Sequence, residues 1–364
     1  MSLNFDQKYL KFNVLNFRYI KYSMKKKIIW WGVGILLLII GLILWDVQIQ
    51  IGTHLPQASI KAIHTQLTKF QDISWSFFRS PGESLIKELN SFNSTQQNLD
   101  LRTYEFTQKD FKTSLKTLAE KGVNVRIIIE DKKFQQYQNT LKVLSQHYSW
   151  YKNIQLKSDK QMGTEYVHAK VNLIDSGFII QTANLTHTSF AKNREHFFQS
   201  YDTWIRTSLH TIFEKDRAWE KISMKDIHPN LVVCNINCRG VIEQLLGSAK
   251  ESIIIQTQYI TDDAIRNILR TKKSLPELKL LVADTDDNNE LINYFGNDFA
   301  RKFKQYYNHT KMILIDHKTL LLGSMNLSAT SLDKNREIWI ILLNTWIISQ
   351  FSDQFIQDWV ASSR

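Results

Sequence analysis

Proline and glycine are scarce in this chain, with 4 Pro and 12 Gly in 364 residues. So few cannot build a low-complexity or flexible linker. Only two cysteines are present, Cys234 and Cys238. That excludes a disulfide-rich scaffold, and a zinc site would need further ligands where only His228 lies close in sequence. A local disulfide and two ordinary thiols are both open readings. Acidic residues are nearly missing from the first 45 positions: Asp6 stands against Lys8, Lys11, Arg18, Lys21, Lys25, Lys26 and Lys27. More than half of the formal net charge of +11 therefore sits there. The remainder is only mildly basic, which is weak ground for a nucleic-acid binder. The acidic run 284–290 (DTDDNNE) lacks the glycine and closing glutamate of an EF-hand loop, so it reads as a solvated loop.

A hydrophobic fraction of 43% and an aromatic fraction of 12% describe a globular chain, and the length supports more than one core. One long apolar run is present. Residues 28–45 (IIWWGVGILLLIIGLILW) carry no charge, and a helix of that length spans ~27 Å, close to a bilayer core. Trp30, Trp31 and Trp45 lie near its ends, where indole prefers the membrane interface, and Lys25–Lys27 precede it. A cleaved signal peptide would carry a shorter apolar region and a small-x-small site; Trp45-Asp46-Val47-Gln48-Ile49 follows instead. The expectation is a basic cytoplasmic N-terminus over 1–27, a single transmembrane anchor over 28–45, a connector over 46–70, and an extracytoplasmic remainder.

The rest of the chain is duplicated. His168-Ala-Lys170 is followed after four residues by Asp175, and His309-Thr-Lys311 after four residues by Asp316. Asn184 and Asn326 follow at matched distances, then the tripeptides Asn193-Arg194-Glu195 and Asn335-Arg336-Glu337. Alternating residues predict strands over 99–107 and 252–261, ending at Tyr104 and Tyr259 and at the possible helix caps Thr107 and Thr261. A helical stretch, a second strand (123–130, 278–283), another polar helical stretch, the His-x-Lys strand and a further apolar strand (177–181, 319–322) complete each copy. Amphipathic helices over 83–92 and 240–250 precede the copies. This order predicts α/β units with largely parallel sheets, one over 71–225 and one over 226–364, joined near Ile227-His228-Pro229-Asn230. Trp75, Phe77 and Phe78 read as core packing ahead of contact with lipid. His187 and His196 have no counterpart in the second copy and read as solvent-facing.

Residues two apart on a strand share a face, so His168 points with Lys170 and His309 with Lys311. Two such pairs can hold one phosphodiester: the lysines take its charge, and Asn184 and Asn326 add hydrogen bonds. One histidine can attack phosphorus to form a phosphohistidine, and the other can protonate the leaving oxygen. Neither a metal nor a nucleotide cofactor is needed. Glu195 and Glu337 are candidates to orient the imidazoles, whereas Asp175 and Asp316 read as structural ends of the motif strands.

The doubled His-x-Lys-x4-Asp pattern with Gly323-Ser324-Met325-Asn326 resembles the phospholipase D superfamily, over roughly residues 75–360. The first copy departs from it, with Gln181-Thr182-Ala183-Asn184 in place of Gly-Ser-x-Asn. The resemblance implies two similar α/β/α sandwich domains about a pseudo-twofold axis, with both histidines facing one phosphate. It also implies a catalytic set of His168, Lys170, Asp175, His309, Lys311 and Asp316, with His168 as nucleophile and His309 as acid. Asn184, Asn326 and Ser324 would bind phosphate. The implied activity is cleavage of phospholipid phosphodiesters or transfer to an alcohol, by a chain that needs no partner copy because it holds both motifs. A nuclease of the same superfamily and a non-catalytic phosphate-binding membrane protein are the alternatives.

Overall fold

The computed structural model describes residues 74–145 and 148–362. All of them belong to one compact unit spanning 63–364. The expected anchor lies outside the described residues. Among those described, no helix is long and apolar enough to cross a membrane.

The first half runs β1 (Trp75–Ser80), α1 (Ser84–Asn93), β2 (Asn98–Thr103), α2 (Lys109–Glu120), β3 (Asn124–Ile129), α3 (Asp131–Ser145), β4 (Ile154–Ser158), β5 (Val171–Ile174), β6 (Gly177–Gln181), α4 (His187–Ala191), β7 (Asn193–Ser200) and α5 (Thr203–Ala218). The second repeats it: β8 (Leu231–Val233), α6 (Cys238–Ser248), β9 (Ser252–Thr257), α7 (Asp263–Thr271), β10 (Glu277–Ala283), α8 (Asn289–Phe295), β11 (Ala300–Phe303), β12 (Tyr307–Asn308), β13 (Lys311–Ile315), β14 (Thr319–Gly323), α9 (Ala329–Asp333), β15 (Ile338–Leu342) and α10 (Thr345–Ala361).

The sheets share one topology, β1-β7-β6-β5-β2-β3-β4 and β8-β15-β14-β13-β9-β10-β11. Duplication was therefore read correctly, but the sheets are mixed and not largely parallel. β2, β3 and β4 run parallel, while β5, β6, β7 and β1 alternate antiparallel. The reason is local. Asp175 and Asp316 open reversals of two and three residues, and short reversals can join only antiparallel strands. Both aspartates take positive φ (26° and 51°), a region that Asp tolerates better than bulkier residues.

Elements that sequence patterning passed over are the strands β1, β4, β7, β8, β11 and β15, and the long helices α5 and α10. The helix caps fall one residue beyond those expected. Gln108, not Thr107, precedes α2, and Asp262, not Thr261, accepts from the Ile265 amide. The acidic run 284–290 is largely exposed, as expected, with surface ion pairs from Asp284 to Lys302 and from Glu290 to Arg266 and Arg270.

α5 and α10 pack between the halves. Ile205, Leu209 and Phe213 from the first meet Ile347, Phe351 and Phe355 from the second in one continuous core with both sheets. Two further cores lie on the outer sheet faces. Both faces of β7 are therefore covered. His196, expected at the surface, is 0% exposed. It lies 5.5 Å from the Phe77 ring and 6.0 Å from Phe351, and burial holds it well below the usual imidazole range. His187 is exposed, as expected. Phe78 is buried, with Trp75 and Phe77 packed partly against the central core. Cys234 and Cys238 form a buried disulfide between β8 and the start of α6.

Candidate active site

The two repeats are joined by main chain at the motifs themselves. The Tyr166–Ala169 segment lies along Arg336: the His168 and Ala169 amides donate to the Arg336 carbonyl, and the Arg336 amide donates to Tyr166 O. The mirror contact is the short strand β12, which pairs with β7 through Tyr307–Asn193 and Asn308–Arg194. The His309 amide donates to Arg194 O at 3.2 Å. Each His-x-Lys segment is therefore hydrogen-bonded to the Asn-Arg-Glu segment of the other repeat.

That backbone pairing crosses the side chains. His168 Nδ1 lies 2.8 Å and 3.0 Å from the two carboxylate oxygens of Glu337, and His309 Nδ1 lies 2.7 Å from Glu195 Oε1. The glutamates were singled out by their spacing within each copy, yet each serves the histidine of the opposite copy. Both are completely buried. Burial alone would raise their pKa values. The opposing histidine charge and hydrogen bond, with Lys170 beside Glu337 and Lys311 beside Glu195, lower Glu195 and bring Glu337 down to about 2. An ionised carboxylate accepts only, so the proton sits on Nδ1 and Nε2 keeps its lone pair.

The rest of the two tripeptides braces this arrangement. Asn193 Nδ2 donates to Glu195 at 3.1 Å, and Asn335 Nδ2 to Glu337 at 3.2 Å. Arg194 grips Asp358 of α10 through Nε and Nη2 at 2.9 and 3.0 Å, and Arg336 pairs with Asp216 of α5. The hydroxyls of the motif tails also go to the glutamates. Thr182 Oγ1 donates to Glu195 at 2.6 Å, and Ser324 hydrogen-bonds Glu337. Ser324 is buried like the two lysines, and its hydroxyl also accepts from the Ile338 amide at 3.2 Å.

Lys170 and Lys311 each donate to the carbonyl of the histidine two residues earlier, at 2.7 Å. Both are buried, and that burial lowers Lys170 to about 8 and Lys311 to about 7 against the pull of both glutamates. Burial likewise lowers His168, and lowers His309 to about 4, with the lysines adding to it and the glutamates opposing. The two buried lysines therefore face two buried, ionised glutamates, with the paired imidazoles alongside. Asn184 and Asn326 lie two residues beyond the hydroxyls, each with Oδ1 unpartnered, and Asn326 Nδ2 donates to Tyr259 at 3.0 Å.

Asp175 and Asp316 are not brought to the histidines. Five residues of strand, ~16 Å, separate each from its lysine. Asp175 accepts the amides of Gln96, Gln97 and Asn98, and Asp316 those of Lys250, Glu251 and Ser252. They fasten the entry to β2 and β9, as their strand-end position suggested, and take no place in a catalytic set.

The missing glycine of the first copy has a packing explanation. Gly323 faces Trp339 across the β14–β15 ladder, and a Cβ there would collide with that indole and with the Ile338 carbonyl. Gln181 faces the smaller Phe197. Its amide is used by Ala183 O at 3.2 Å and by Asn172 Nδ2 at 3.4 Å. The glycine makes room for a tryptophan, so its loss leaves the first motif intact.

Tyrosines surround the histidines, of which Tyr166 and Tyr307 were overlooked at the sequence level. Tyr166 and Tyr307 each stand two residues before a motif histidine, and strand alternation could have found them. Tyr104 meets His168 edge-on with centroids 5.4 Å apart, and Tyr307 stacks on His309 at 6.3 Å.

Two mixed sheets that share a paired His-x-Lys centre across a pseudo-twofold axis are the hallmark of phospholipase D-like proteins. The family model for the phospholipase D-like domain of cardiolipin synthase matches residues 89–217 and 242–359. The chain belongs to this family. Phosphatidylserine synthase from Haemophilus influenzae Rd KW20 is similar in fold, with a TM-score of 0.62 at 11% identity over 83% of this chain and 90% of that one. Polyphosphate kinase from Porphyromonas gingivalis has a TM-score of 0.60 at 14% identity, with 78% of this chain covering 50% of the kinase. The chain thus spans half the length of that kinase. No curated protein matches the sequence.

Proposed function

We propose that the chain is a phospholipase D-like enzyme that cleaves phospholipid phosphodiesters through a covalent phosphohistidine and passes the phosphatidyl group to water or to an alcohol. The observation that carries this reading is the crossed pair of Glu–His dyads around two buried lysines. The lysines take the non-bridging oxygens, and the Asn326 amide, turned over, accepts from Tyr259 and offers its NH2 to the same anion. His168 Nε2 attacks phosphorus while the leaving oxygen takes a proton from His309 Nε2. The free His309 is a weak base, but the bound phosphate anion offsets the lysine charges and raises its proton affinity in the complex. In the second step His309 removes the proton from water or alcohol, the new P–O bond forms, and the P–N bond to His168 breaks.

The apolar run 28–45 supports a single-pass anchor that keeps the enzyme at its lipid substrate, with the N-terminus cytoplasmic and the site extracytoplasmic. The test is a metal-free incubation of the full chain in detergent with labelled phosphatidylcholine, phosphatidylglycerol and DNA. Release or transfer of a lipid head group is expected; cleavage of DNA alone would replace this reading with a nuclease.

A further inference from the structure

The halves differ beside the paired histidines. Glu130 follows β3 and Asp284 follows β10 at the matched position. The neighbouring strands carry matched lysines, Lys157 opposite Ile128 and Lys302 opposite Val282. In the second half the lysine neutralises the carboxylate, with Lys302 Nζ 3.1 Å from Asp284 Oδ1. In the first half the lysine is diverted, its Nζ lying 3.4 Å from the centroid of the Trp219 ring. Glu130 is left 3% exposed, with its Oε2 lacking any hydrogen-bond partner. An uncompensated buried carboxylate is costly, and such a group in a native fold calls for an explanation.

That charge falls on one wall of the active site. After burial, Glu130 is the largest influence raising the Tyr104 pKa, followed by Tyr166, Glu105 and Asp159. Tyr104 in turn meets His168 edge-on and Tyr166 at 6.3 Å. The first-half wall therefore combines aromatic rings with an unpaired carboxylate, with the Lys132 ammonium 5.5 Å from the Tyr166 ring centroid, whereas the second-half carboxylate is paired with Lys302. Parallel strands β2, β3 and β4 all end at this wall, where open α/β sheets commonly take ligands.

We propose that Tyr104, Tyr166 and Glu130 form a subsite for the hydrogen-bond-donating end of the phosphodiester, the hydroxyl or ammonium of a lipid head group, and that they disfavour a second phosphate. The proposal rests on the phosphodiester reading above and names its substrate class. A carboxylate only accepts hydrogen bonds, so its natural partner is a hydroxyl or an ammonium. The Tyr104 and Tyr166 hydroxyls complement either, and the Tyr104 ring adds its negative face, that of Tyr166 being taken by Lys132. A nucleic-acid strand would place its next phosphate against the same charge and be repelled.

Binding to an inert background separates this proposal from the catalytic one. The full chain in detergent with His309→Asn is titrated calorimetrically with glycerophosphoglycerol, glycerophosphoethanolamine and a thymidine trinucleotide. At least one glycerophosphodiester should bind about tenfold more tightly than the trinucleotide, and adding Glu130→Gln should narrow that ratio at least fivefold. Glu130→Asp, which keeps the charge, should retain most of the preference and shows that loss in the Gln variant is not misfolding. The diester that loses more affinity identifies the head group as polyol or ammonium. An unchanged ratio in Glu130→Gln, or no binding of either diester, would overturn the subsite. Absence of turnover in the active protein would instead strike only the enzymatic reading.

Discussion

Glu337 of the second repeat binds His168 of the first through both carboxylate oxygens. Its mirror is Glu195 on His309. The dyads cross the pseudo-twofold axis, so neither repeat contains a complete site. Glu337→Gln should lower kcat by on the order of 10²–10⁴-fold, because an amide can donate to Nδ1 and stabilise the wrong tautomer. The same change at Glu195 should do as much. Steady-state kinetics on a soluble phosphodiester reads the effect. If Glu337→Gln retains near-parental kcat, the dyad has no part in turnover.

The buried lysines set a limit at high pH. Burial brings Lys311 down to about 7 and Lys170 to about 8. In the free enzyme these cations are lost as pH rises through that range, and with them the attraction for phosphate. kcat/KM should therefore fall above pH about 7–8, chiefly through a rising KM, since bound phosphate holds the lysines protonated. Lys311→Met should remove measurable turnover. A kcat/KM profile flat to pH 10 would contradict the assignment of the lysines to phosphate.

How much of this was legible beforehand differs residue by residue. The duplication, the four His and Lys positions and the two glutamates stand in the sequence, because chemistry fixes residue type and spacing. The crossing does not, since it arises from main-chain pairing between Arg336 and Tyr166–Ala169, segments 170 positions apart in the chain. His196 misled for a related reason. It has no counterpart in the second copy, where Ile338 stands, but β7 lies between two covered faces, and only the packing of α5 and α10 reveals that.

The glycine of the second motif tail yields a stability test. Gly323→Ala places a methyl group against Trp339 and the Ile338 carbonyl, in a strand buried on both faces. Overpacking of this kind costs ~1–3 kcal/mol. A fall in Tm by thermal unfolding is expected, and the strain should reach Glu337, next to Ile338, as reduced activity. An unchanged Tm would mean that the indole is free to move and that the glycine has another purpose.

Glu88 gives the last test. It is fully buried on α1, accepts from Asn172 Nδ2 at 2.6 Å, and leaves Oε2 unpartnered. Burial raises it to about 8, opposed only by hydrogen bonds from Gln181 and Asn172. Asn172 and Gln181 thus link it to the altered motif tail, where the second repeat has Ile313 and Gly323. The folded state keeps this proton up to pH about 8, while the unfolded chain releases it near 4.5. Between those values the native state binds more protons, so its stability falls as pH rises through the window. Glu88→Gln keeps an acceptor for Asn172 and removes the charge. The variant should match the parent in Tm near pH 5 and exceed it by several degrees at pH 9. Equal Tm differences at the two pH values would show that Glu88 does not titrate in this window.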